Sequence, residues 1–113
     1  MIICVPVDEE GQVGPHWGRA RRVAIAQVSG GEIASWDEFD VGWDESHDGP
    51  EGHGAHHARI VRFVREHGVQ AVVVGGMGPG MVQIMAKLGI QVWHSAAGSA
   101  RDAVSRVPES PEN

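Results

Sequence analysis

Four histidines, His47, His53, His56 and His57, fall in one Gly- and acid-rich stretch that runs from Asp44 to His57. Neutral imidazole is a borderline-soft ligand for transition metals, and a glycine-rich loop lets several rings converge on one ion or cluster. His53, His56 and His57 also have the i, i+3, i+4 spacing that places three rings on one helix face. Gly52 and Gly54 oppose an early helix start, so the stretch reads as a loop, mobile without a ligand because few apolar residues anchor it. Its bland reading is a solvated polar loop. The zinc-protease arrangement is excluded, since no Glu follows a first His in an H-E-x-x-H pattern.

Three further segments carry chemistry-bearing residues. Gly75-Gly-Met-Gly-Pro-Gly80 follows an apolar run and opens a helix, the setting in which an anion rests on free backbone N–H groups and the helix dipole. It is not a dinucleotide or phosphate-loop motif, because the third glycine of G-x-G-x-x-G falls on Met81 and no Lys-Ser/Thr follows Gly80. A tight turn that needs little side-chain bulk explains it equally well. His16-Trp17-Gly18-Arg19-Ala20 offers an imidazole, an aromatic plate and a cation, against the plainer reading of a turn with a stacked Arg. His94, after the last apolar run, is placed like a ligand or like a hydrogen-bonded residue at a sheet end. His67 suits a helix end, Cys4 a small buried hydrophobe, and Met81 and Met85 the core, with Met77 at a loop tip. Trp36 and Trp43 flank the acidic segment and cover apolar surface. Asp8, Glu9 and Glu10 have no nucleophile beside them, and no enzyme constellation stands out.

The 113 residues suffice for one domain, here 1–107, with a frayed tail at 108–113. A net charge of -6 argues against nucleic-acid binding, and about half of the acidic residues lie between Asp37 and Glu51. Arg19, Arg21 and Arg22 still leave room for a small anionic ligand. One cysteine excludes an internal disulfide and any thiolate cage, so a metal would be held mainly by nitrogen and oxygen. The short apolar N-terminus is neither a leader nor a span, and a cytoplasmic protein is expected.

These segments are positioned by an α/β pattern. Ile2–Val7, Arg22–Val28 and Ile33–Val41 read as strands, the last two joined by Ser29-Gly30-Gly31 as a hairpin. Ala58, Ile60, Val61, Phe63 and Val64 recur at helical spacing and Gly68 stops that helix. Ala71–Val74 is a strand buried on both faces, Pro79 to about Leu88 a helix, Ile90–Trp93 a fifth strand, and Ser99 the N-cap of a helix to about Val107. The order predicts a mixed five-stranded sheet, 3-2-1-4-5, with helices on its faces. Four segments then leave strand ends on one edge, where open α/β sheets take ligands. The candidate metal ligands are therefore His16, His53, His56, His57 and His94, and the candidate cofactor contacts Arg19, Gly76, Met77, Gly78 and Gly80.

The chain resembles the dinitrogenase iron-molybdenum cofactor biosynthesis family, small domains of the NifX and NafY type. The likeness spans most of residues 1–107. It rests on Ile2-Ile-Cys-Val-Pro-Val-Asp8, on His16-Trp17-Gly18-Arg19-Ala20 where the family usually has His-Phe-Gly-Arg-Ala, on His53-Gly54, and on Val73-Val-Gly-Gly-Met-Gly-Pro-Gly80 with Gly89-Ile-Gln-Val92 after the next helix. It implies a three-layer α/β/α, ribonuclease H-like architecture without nuclease activity, and a non-enzymatic role in carrying or protecting an iron-sulfur or molybdenum-containing cluster. Partners would be the cluster and its donor and acceptor proteins, with a monomer or weak homo-oligomer and no membrane or nucleic acid. His56 and His57 stand where many relatives have small residues, and Trp17 replaces a phenylalanine. Two other readings remain at this point: a small-anion or nucleotide-binding enzyme using Gly75–Gly80, and a protein-interaction domain.

Overall fold

The computed structural model of the chain describes residues 1–46 and 52–107, without the side chains of residues 45, 46 and 52–55. His47 and the tail at 108–113 lie outside the described residues. Five strands, β1 (Ile2–Pro6), β2 (Arg22–Ser29), β3 (Glu32–Asp40), β4 (Ala71–Val73) and β5 (Gln91–Trp93), form one sheet of order β3-β2-β1-β4-β5, as expected. β2 runs antiparallel to β1 and β3, whereas β4 runs parallel to β1 and β5. The β2–β3 hairpin turns through Gly30 and Gly31, both at positive φ (58° and 79°), the conformation that paired glycines adopt without a Cβ clash.

The strand alternation sorts side chains onto two buried faces. Cys4, Val23 and Val72 face one cluster, which is closed by Ile60 and Val64 of helix α2 (Gly52–Glu66, numbered after a one-turn helix α1, Trp43–Ser46) and by Met81 and Met85 of helix α3 (Pro79–Lys87). Ile3, Val5, Ala24, Ala26 and Val73 face the other, closed by Ala100 and Val104 of the short helix α4 (Ala100–Ser105). The result is three layers, with burial of each large aliphatic side chain contributing roughly 1.5–3 kcal/mol.

Helix ends follow their local chemistry. α2 stops at Gly68 (φ 64°), where Val69 N–H donates to the Val64 carbonyl, and α3 stops at Gly89 (φ 74°), where Ile90 N–H donates to that of Met85. Both are left-handed glycine terminations with the bond reaching back five residues. Ser99 caps α4 by accepting from Asp102 N–H at 3.3 Å. His67 places Nδ1 3.0 Å from the Phe63 carbonyl and packs on Phe39 and Phe63, so it belongs to the aromatic core edge.

Two elements differ from the sequence expectation. The His-rich stretch is not a loop up to His57: α2 begins at Gly52, so His53, His56 and His57 lie on a helix. α1 was not foreseen; it carries Trp43, 3% exposed, into the core, edge-on to Trp17 and to Phe63. Packing of these rings outweighs the poor helix propensity of the surrounding residues.

Candidate functional site

Because β1, β3, β4 and β5 all run the same way, the segments after them meet at one end of the sheet. Main-chain bonds lace three of these together. Trp17 N–H donates to the Gly76 carbonyl (3.0 Å), Gly75 N–H to that of Gly14 (3.3 Å), and Ser95 N–H to that of Gly75 (3.2 Å). The approach leaves no room for side chains. A Cβ on Gly75 would lie 3.0 Å from the Pro15 Cα and 3.2 Å from the Gly14 oxygen, and one on Gly76 3.2 Å from the Pro15 oxygen. Gly78, at φ -66°, has open space instead and serves as the N-cap of α3 without a side-chain cap.

A cleft of ≈ 740 Å³ opens on this rim, walled by residues 15–19, His56, His57 and residues 75–81. His16 and Arg19 are exposed at its mouth, and His57 is half-buried. His57 stands over the start of α3, its Cε1 3.8 Å from where a Cβ of Gly80 would be. His56 is 2% exposed with Nε2 against Gly18, at 3.6 Å from the corresponding Cβ position. The two rings are 6.0 Å apart. Although the chain has 15 acidic residues, the cleft lining, among the described residues, contains three histidines, one arginine and not one carboxylate. Gly76, Met77, Gly78 and Gly80 complete the wall at the positive end of the α3 dipole.

The sequence candidates thus divide. His16, His56, His57, Arg19, Gly76, Met77, Gly78 and Gly80 come together. The His53 side chain lies outside the described residues, and His94 is exposed after β5 and does not line the cleft. Among the described residues no three of His, Cys, Asp and Glu are grouped to hold a metal ion. Trp17 is not an exposed plate for Arg19: it is fully buried, and the arginine that stacks on a tryptophan is Arg101, 4.5 Å from the centre of the Trp36 ring. Its indole N–H, which sequence reasoning passed over, finds no acceptor among the described residues. Cys4 is buried in the sheet, and burial pushes its thiol well above the ordinary range. No described helix is long and apolar enough to cross a membrane.

A three-layer α/β domain with a cleft lined by histidines, an arginine and glycine backbone at a strand-end rim is the class these features define. The chain belongs to the Dinitrogenase iron-molybdenum cofactor family, whose sequence profile matches residues 1–110. It is 26% identical over 104 residues to an uncharacterized protein of Methanocaldococcus jannaschii, covering 92% of this chain and 82% of that one. Its fold is shared by the apo form of the orange protein from Desulfovibrio gigas (TM-score 0.75, 23% identity, 93% of this chain and 84% of that one). The crystal structure of PH0822 is similar too (TM-score 0.71, 21% identity, 94% and 87% coverage).

Proposed function

We propose that the protein binds and carries an anionic metal cluster, iron-sulfur or molybdenum-containing, as cargo in metallocofactor assembly, and that it does so without turning over a substrate. The observation that carries this reading is the cleft lining: imidazoles, a guanidinium and a helix N-terminus, without a carboxylate among the described residues, in a chain of net charge -6. Carboxylates at the rim would repel an anion; among the described residues the formal charge in the wall is that of Arg19. Membership of a family described by the iron-molybdenum cofactor supports the cargo class.

In this reading His16 and His57 are candidate end-on ligands at the mouth, and His53, in the first turn of α2, is a further candidate. His56, on the adjoining helical position, supports the wall from within. The Gly78–Gly80 amides and Arg19 offset the cargo's negative charge, and Met77 supplies a soft, polarizable contact. His94 is a ligand only for cargo that extends beyond the cleft. Anaerobic reconstitution with iron, molybdate and sulfide, followed by metal analysis, tests the proposal. Wild type is expected to retain metal and His16→Ala/His57→Ala to lose most of it; equally negligible metal in both sinks the idea.

A further inference from the structure

We infer that the indole N–H of Trp17 is a specificity-determining donor to the anion held in this cleft, favouring cargo that presents a sulfido or oxo acceptor on its periphery. The inference rests on the anion-binding reading above. Trp17 belongs to the cleft wall, is 0% exposed, and its Nε1 has no hydrogen-bond partner among the described residues. Leaving a buried N–H unsatisfied costs the desolvation of the donor, and such a group in a native structure calls for an explanation.

The fold does not use this donor. Trp17 is held through its backbone, which donates to Gly76 and accepts from Ala20 N–H at 3.2 Å, and through its ring, set edge-on to Trp43 at 5.0 Å and 67°. A phenylalanine here would supply an apolar ring to the same wall without a buried polar atom. What tryptophan adds is one buried N–H, unpartnered among the described residues, on a residue of the wall that also carries Arg19 and the histidines. The donor is screened from bulk water, so an acceptor reaches it only as the wall yields to an entering ligand. In so dry a setting a hydrogen bond to an anion is strong.

The test is an NMR titration of ¹⁵N-labelled wild type and Trp17→Phe with tetrathiomolybdate and, separately, molybdate. The wild-type spectrum contains four indole N–H signals, and the one missing from Trp17→Phe identifies Trp17. The expected result is that this signal moves on binding while those of Trp36 and Trp93 stay. Trp17→Phe should bind the same anion about tenfold more weakly or worse, because a hydrogen bond to a charged group contributes about 1.5–3 kcal/mol. Binding by wild type with a stationary Trp17 signal and equal affinity in Trp17→Phe overturns the inference and leaves the anion reading standing. If Trp17→Phe does not fold, the Trp17 signal is assigned in wild type by elimination with Trp36→Phe, Trp43→Phe and Trp93→Phe, and its movement or stasis on binding decides. Failure of wild type to bind either anion removes the anion reading itself, and this inference with it.

Discussion

Gly75 and Gly78 sit three residues apart in one loop, yet they are glycines for different reasons. Gly75 is forced by the approach of the Gly14-Pro15 backbone, whereas the Gly78 position has negative φ and open space. Gly75→Ala is therefore expected to destabilise the fold by about 1–3 kcal/mol, as overpacking does, and to disturb the cleft; Gly78→Ala should stay within about 1 kcal/mol of wild type. Urea unfolding of the two variants checks this, and equal losses would contradict it. The sequence made the loop visible as a strand-to-helix turn, and its contribution to a concave wall was legible too. Which glycine meets which backbone was not, because the partner, Pro15, lies sixty positions away and the contact depends on β1 and β4 being neighbours. The unsatisfied indole was hidden for a similar reason: burial of Trp17 follows from Trp43, which arrives on a helix that no period or cap announced.

At the scale of elements, order, direction and strand pairing were readable because alternation and apolar runs are local signals. The start of α2 was not. Glycines at 52 and 54 each cost a helix about 1 kcal/mol relative to alanine, and that penalty favoured a loop. What wins is tertiary: His56 lies one turn before Ile60 and two before Val64, and all three are buried on one face. A histidine thus takes a core position, which residue type alone argues against. Boundary signals that rest on a side-chain cap fared better, as at Ser99. Ser99→Ala should lower stability by roughly 0.5–2 kcal/mol by stranding the Asp102 amide, measured by chemical denaturation. No change would mean that α4 is held by Ala100 and Val104 alone.

For the molecule as a whole, Cys4 links burial to pH. The unfolded chain releases the thiol proton near pH 8.5, whereas burial holds it on the folded chain well beyond that. Above the unfolded value the folded state binds more protons, so stability falls as pH rises; below it the contribution is fully present. Between about pH 7.5 and about pH 9.5 wild type should lose about 1.4 kcal/mol more than Cys4→Ala, and parallel losses in the two would refute the linkage. The same global view bears on how the rim of this chain is framed. At the rim, Trp17 to Gly76, Gly75 to Gly14 and Ser95 to Gly75 are joined peptide to peptide. Outside the few positions where only glycine fits, the side chains that line the cleft can thus change while the frame around them persists. A mouth framed by its own backbone lets what lines it vary without altering how the chain folds.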